Sequence, residues 1–327
     1  MIWRRLMSHH GAGNGGGPGI HCRQALIAKL VHHFLSAFCR LTMRFSSHFL
    51  VSFLSVVWSV SASLAGEEMR RQEKLPLYEY GIVGLTAQLP DYRGSDEYTT
   101  YAFPLPYFVY RGERLKASRD GVRGIFWRNR HVETDLSFSG NPPVSTDNEA
   151  RAGMGELDGL VEVGPALRYY FYEYGERDSF FIQWNIRAAF SFGFDSGLEV
   201  SYQGLLSDVS LVFGNASLFH EQNIRFHLST GPQFADSGLH GYFYEVAPQF
   251  VTGTRERYSA ESGYGGWQLS GSVVKELTPE IWLSLYGRWM NSTGAVFTDS
   301  PLVETENNYV IGTLLVWKFG ESDELER

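Results

Sequence analysis

Few groups in this sequence could carry bond chemistry. Beyond residue 65 only four histidines remain: His131, His220, His227 and His240. A hydrolytic site needs an imidazole beside a nucleophile, with a third group to orient it. One stretch supplies those types, Asp236, Ser237 and His240. The same Asp-Ser-Gly string is ordinary turn chemistry, because Asp and Ser side chains bond their own backbone and Gly accepts unusual dihedrals. The turn reading is the weightier, and no enzyme is expected. The histidines show neither a His-x-x-x-His spacing nor a partner cysteine, so no metal site and no cofactor is expected. Cys22 and Cys39 both precede residue 65, which leaves the rest of the chain without a disulfide, a lipid-anchoring thiol or a thiolate ligand.

A second set of polar groups is defined by position. Glu162, Arg168, Arg187, Arg225, His227, Arg288 and Lys318 recur in segments whose residues alternate between apolar and polar. Alternation sends successive side chains to opposite faces of a strand. Phe180, Ile182, Trp184, Ile186, Ala188, Phe190, Phe192 and Phe194 make one face, with Gln183, Asn185 and Arg187 between them. Tyr309, Ile311, Thr313, Leu315, Trp317 and Phe319 repeat the pattern, with aromatics at both ends as the interfacial girdles of a membrane barrel require. The charges then face a lumen. There they either pack as a network or form a constriction that selects solutes, and parity alone does not separate the two.

The elements that must hold these residues are about twelve strands, near 78–88, 101–111, 113–119, 122–128, 131–139, 157–174, 179–194, 206–220, 224–234, 264–277, 280–291 and 307–319; ten is the alternative count. Short turns fall at Gly112, Asp120-Gly121, Asn129-Arg130, Gly175 to Asp178, Glu221 to Asn223 and Thr278-Pro279. Longer polar loops fall near 90–100, 140–156, 195–203, 235–263 and 292–306. An even count puts both termini on the side of the short turns and the long loops on the other, with Asp120-Gly121 the exception. That is the organisation of a bacterial outer-membrane barrel: all-β, one antiparallel transmembrane sheet over residues 78–319. A soluble sandwich would alternate too, but would bury its oily face against a second sheet.

The front of the chain reads as an address. Residues 1–65 hold six basic residues and no acid, and the apolar run Phe49 to Val60 is followed by Ser63-Leu64-Ala65. A positive region, an apolar region and a small-x-small site make a cleavable signal, with translation starting at Met43 and cleavage after Ala65. The apolar run is shorter than the roughly 20 residues a helical span needs. Residues 66–77 become a periplasmic N-terminal segment and 320–327 an acidic C-terminal tail. All 36 acidic residues follow residue 65, a balance that repels nucleic-acid phosphate, so no nucleic-acid partner is expected.

Several strings in order along the chain resemble the MltA-interacting protein (MipA/OmpV) family of outer-membrane barrels. Pro90-Asp91-Tyr92-Arg93-Gly94-Ser95-Asp96 is similar to its first loop, and Pro104-Leu105-Pro106-Tyr107 with Tyr110-Arg111-Gly112 to its second strand. Val163-Gly164-Pro165 fits a mid-chain strand, Tyr242-Phe243 a loop start, and Asp299-Ser300-Pro301-Leu302-Val303 the final external loop. Physically, Gly94 permits a turn, while Pro104, Pro106 and Pro165 each remove a ladder donor and call for an edge or bulge. One departure is that eight residues follow Phe319, where the family ends on the terminal aromatic. The resemblance implies a non-enzymatic scaffold that holds a lytic transglycosylase near a murein synthase, embedded in outer-membrane lipid. A small solute-diffusion pore and a surface adhesin are the alternatives.

Overall fold

The computed structural model describes residues 76–325, apart from 112–114, 119–120, 125, 146, 173–177, 195–196 and 216–222. The expected leader, the segment 66–75, both cysteines and His220 lie outside the described residues. Among the described residues thirteen strands form one antiparallel sheet: β1 (Tyr78–Pro90), β2 (Tyr98–Arg111), β3 (Leu115–Ser118), β4 (Gly121–Gly124), β5 (Trp127–Arg128), β6 (Val132–Asn141), β7 (Gly159–Tyr170), β8 (Asp178–Gly193), β9 (Glu199–Asn215), β10 (Ile224–Ala235), β11 (Gly263–Thr278), β12 (Ile281–Asn291) and β13 (Asn307–Glu321). The spatial order is β4-β3-β2-β1-β13-β12-β11-β10-β9-β8-β7-β6-β5.

That order brings the two edges of the sheet together. Its two edge strands, β4 and β5, are consecutive in the chain, and the three steps from Gly124 to Trp127 reach about 11 Å. In a flat sheet the same edges would stand roughly 58 Å apart, at about 4.8 Å per strand. The sheet must therefore curl until its edges approach one another. β4 pairs with β3, and β5 with β6. Together they are the expected fourth strand, interrupted in its middle, which is why twelve expected strands appear as thirteen segments.

Parity sorts the side chains as the alternation requires. On β8, Phe181, Asn185, Arg187 and Ala189 are buried while Ile182, Trp184 and Ile186 are exposed. Exposed aromatics gather at the turn end (Tyr78, Tyr80, Phe108, Trp317, Phe319) and at the loop end (Tyr98, Tyr202, Phe234, Trp267, Tyr309). Outward tryptophans satisfy their indole N–H on the neighbouring strand: Trp184 donates to Ser207 Oγ at 2.9 Å, Trp267 to Thr230 Oγ1 at 2.7 Å and Trp289 to Asn307 Oδ1 at 3.0 Å. A donor facing hydrocarbon has no water to fall back on.

The prolines fall where a missing donor costs least. β2 pairs with β1 along its whole length but with β3 only at Tyr110 and Arg111, so Pro104 and Pro106 lie beside an open edge. Between β7 and β8 the ladder skips Gly164 and Pro165; a Cβ on Gly164 would stand 1.9 Å from the Ile186 carbonyl oxygen. A second Gly-Pro pair, Gly231-Pro232, breaks the β9–β10 ladder in the same way.

Three expectations need correction. The loop expected at 195–203 is largely strand, because β9 begins at Glu199. The loop expected at 235–263 contains α1 (Ser237–Tyr244), capped by Asp236, and a short 3-10 turn at Pro248–Phe250. Finally, residues 320–325 are no free tail. β13 runs to Glu321, Ser322 N–H donates to Tyr78 O at 2.9 Å, Leu77 N–H donates to Glu324 O at 2.7 Å, and Pro76 bridges Leu325. The two ends of the barrel are stitched together at the turn end.

Candidate functional site

The lumen has two unlike walls. On β5 to β9 the inward side chains form a connected ion-pair network. Arg168 reaches Glu133 at 2.9 Å and Asp135 at 2.8 Å, and its Nε donates to Gln183 at 2.7 Å. Arg128 pairs with the same Glu133. Arg187 reaches Glu162 at 3.1 Å and Asp208 at 2.5 Å, and donates to Ser137 Oγ at 3.2 Å. Arg168 and Arg187 are thus each matched by two carboxylates, the condition for burying charge tolerably. Opposite, Tyr107, Val109, Val274, Trp282 and Val316 pack as an apolar plug toward the turn end. Beside it Glu79 takes Arg111 at 3.0 Å and the Tyr107 hydroxyl at 3.1 Å. Lys318 pairs with Glu321 and lies over the Trp282 ring. Arg225 sits inward and half-buried, His227 is buried, and Arg288 lies 5.6 Å over the Tyr286 ring.

The loop end is covered by a cap. The left-handed turn at Gly94 (φ +102°) lets its N–H donate to Asn308 Oδ1 at 2.7 Å, while its carbonyl accepts from Glu304 N–H at 2.7 Å and Thr305 N–H at 3.0 Å. Asn308 Nδ2 returns a bond to the Ser95 carbonyl at 2.7 Å, so one wholly buried amide pins the first loop to β13. Tyr92 donates to Leu302 O and Tyr244 to Arg93 O, both at 2.8 Å. Ser300 Oγ donates to Tyr244 O at 2.8 Å, and the Tyr244 and Phe297 rings stack at 3.9 Å. Burial raises both the Tyr92 and Tyr244 hydroxyls well above their ordinary pKa. Arg255 donates to Phe250 O, Ala150 O and Ala152 O, each at 2.9 Å, and Arg151 to Phe243 O at 3.0 Å.

The structure therefore brings Tyr92, Gly94, Ser95 and Ser300 together in the cap, with Pro301 half-buried beside them. Asp96 and Asp299 sit on its exposed rim. Pro104, Pro106, Gly164 and Pro165 stay in the wall, and Tyr107 in the plug. Asp236, Ser237 and His240 do not assemble a catalytic unit. Asp236 accepts from Leu239 N–H at 2.9 Å and Leu205 N–H at 3.0 Å, and His240 Nδ1 lies 2.7 Å from Glu261 O. Sequence reasoning missed Glu133, Asp135 and Asp208, although their inward parity could have found them. It also missed Asn308, Arg151 and Arg255, whose acceptors are carbonyls of distant loops and carry no spacing signal.

Between cap and lumen lies a chamber of about 130 Å³ whose lining includes Arg93, Glu162, Arg187, His240, Gln268 and Arg288. A barrel so arranged can fix its external loops over a lumen lined by paired charges.

The family described as MltA-interacting protein MipA matches residues 83–319. The chain belongs to this family. No curated protein matches it. Three solved structures overlap it loosely. The CymD monoaromatic hydrocarbon channel is 13% identical over 76% of this chain and 89% of that one, with a TM-score of 0.29. The Pseudomonas putida toluene transporter TodX is 8% identical over 74% and 88%, with 0.30. Outer-membrane phospholipase A from Escherichia coli is 9% identical over 78% and 97%, with 0.26. Overlaps this loose carry nothing about substrate. As a MipA-family member built on one curled antiparallel sheet, the chain is an outer-membrane β-barrel, and the strings that mark the family's first and last loops meet in its cap.

Proposed function

We propose that this barrel is a non-enzymatic interaction protein of the outer membrane that holds murein-remodelling enzymes, a lytic transglycosylase together with a murein synthase, at its periplasmic rim. The observation that carries this reading is how the interior is furnished: ion pairs on one wall, an apolar cluster on the other and an interlocked cap above, an arrangement that favours a loop-bearing scaffold over a diffusion pore. The family's own name supports a transglycosylase partner. The periplasmic turns are short and offer well under the roughly 800 Å² per partner of a standard stable interface, so capture is weak. The stitched termini extend that surface, and in sequence the charged run Glu67 to Lys74 leads directly into them.

The test is capture of a lytic transglycosylase from detergent-solubilised envelopes. Deleting Glu67 to Lys74 is expected to weaken capture while the protein keeps its heat-modifiable migration, and deleting the external segment 237–262 is expected to leave capture intact. The reverse result removes the periplasmic reading and favours the adhesin. Sustained ion currents across planar bilayers would favour the solute pore instead.

A further inference from the structure

Arg93 is an expensive residue in its position. It hangs from the cap into the chamber, where its Nη1 donates to Gly265 O at 2.5 Å, while Nη2 is enclosed with no hydrogen-bond partner. The groups that act electrostatically on it are Tyr244, Tyr264 and, repulsively, Arg288; no carboxylate is among them. Burial lowers the guanidinium to about 10. The contrast with Arg187 in the same chamber is direct, since Arg187 is matched by Glu162 and Asp208. The residue as a whole is half-buried, but its Nη2 is enclosed, and a guanidinium nitrogen enclosed without a counter-charge is disfavoured unless something else supplies one.

The chain also makes room for it. Gly265 and Gly266 lie under the Arg93 and His240 side chains. A Cβ on Gly266 would stand 2.9 Å from Arg93 Nη1, and one on Gly265 would stand 3.2 Å from His240 Nε2. The chamber, of about 130 Å³, has room for a tetrahedral oxyanion, since about 10–15 Å³ of such space already admits a water.

We propose that the chamber is a binding site for a small oxyanion of phosphate or sulfate size. The anion accepts from Arg93 Nη2 on the cap side and from Arg288 on β12, and thereby fastens the cap to the wall. Glu162 lines the same chamber but is engaged by Arg187, so its charge is already offset. The site does not depend on the partner assigned to the periplasmic rim.

The probe is inorganic phosphate, added to the purified full-length protein in detergent and compared with chloride at equal ionic strength. Phosphate is expected to raise the thermal midpoint and slow proteolysis of the external loops. Arg93→Gln is expected to weaken phosphate binding roughly tenfold, about the worth of one charge-assisted hydrogen bond, while retaining heat-modifiable migration. If Arg93→Gln fails to fold, Arg288→Gln carries the same test. Equal stabilisation by chloride, no stabilisation by phosphate or sulfate, or phosphate stabilisation undiminished in the folded variant would each overturn the site.

Discussion

The lumen wall and the external cap both bury arginines, and they neutralise them differently. In the wall, Arg168 and Arg187 face carboxylates on nearby strands: Glu133 and Asp135 for one, Glu162 and Asp208 for the other. In the cap, Arg151 and Arg255 donate to backbone carbonyls of loops about a hundred residues away. Register explains the difference. Strands hold neighbouring Cβ atoms at fixed separations, so inward positions on adjacent strands can be matched charge to charge. Loops have no register, but they carry unpaired carbonyls, and a five-donor guanidinium collects several of them at once. The wall is therefore a rigid charge lattice, and the cap a set of loops tied through their main chains.

The largest expected effect lies in the wall. Arg168→Leu leaves Glu133 and Asp135 buried and strips each of its Arg168 contact, with Arg128 still paired to Glu133. Removing one partner of a buried pair costs about 3–5 kcal/mol, so the urea midpoint of the folded barrel should fall while the external loops keep their protease resistance. Loops that loosen first would mean the cap is not an independent unit.

Next comes the pin between cap and β13. Asn308→Ala removes the acceptor of Gly94 N–H and the donor to Ser95 O. Leaving two buried backbone groups unmatched costs about 2–4 kcal/mol. Its location sets the readout: proteolysis of the first and last external loops should accelerate on intact cells, with migration before and after boiling unchanged.

Much of the wall was legible in the sequence, because a period of two by itself states which residues face inward. Arg168, Arg187, Arg225 and Arg288 all lie where alternation puts them. The cap was legible only as fragments. Tyr92, Gly94 and Ser300 stood out by family resemblance, yet nothing in their spacing says that Asn308 pins the turn at Gly94 to β13 or that Tyr244 joins Ser300 to the first loop. The helix α1 escaped because eight residues hold little more than two turns of periodicity, and its cap, Asp236, reads equally well as a turn residue. The C-terminal extension read as a tail because Glu321 to Glu326 is acidic; backbone pairing with residues 77 and 78 needs no side-chain signal.

Acid separates the two regions further. Burial of the ring lowers the His240 pKa below its ordinary 6.5, with the Glu261 carbonyl opposing. The folded cap thus resists protonation that the unfolded loop accepts, so its stability is intact above about pH 6.5 and falls as pH drops below it. External loops should become protease-sensitive near pH 5 before the barrel loses its resistance to unfolding. His240→Asn, which retains a donor for the Glu261 carbonyl, should flatten that dependence; an unchanged acid response would place the sensitivity elsewhere.

The smallest effect runs in the opposite direction and sits on the cap's rim. Partial burial and a hydrogen bond to the Asp96 carboxyl raise the Glu304 carboxyl from 4.5 to about 7. A raised carboxyl means the folded loop holds a proton that the unfolded one releases. This contribution favours the cap below about pH 4.5 and is lost as pH climbs through 7. Glu304 N–H is bonded to the Gly94 carbonyl, so the repulsion falls on the same turn that Asn308 pins. Asp96→Asn removes the like charge and leaves an amide that still bonds Glu304. At pH 8 the variant's external loops should resist protease longer than those of the parent, by at most about 1 kcal/mol, the ceiling for an exposed charged pair. At pH 5, where the folded parent keeps Glu304 protonated, the two should be indistinguishable. A stabilisation that persists at pH 5 would mean Asp96 acts through the loop backbone and not through its charge, and the rim would then hold no carboxyl whose titration opposes that of His240.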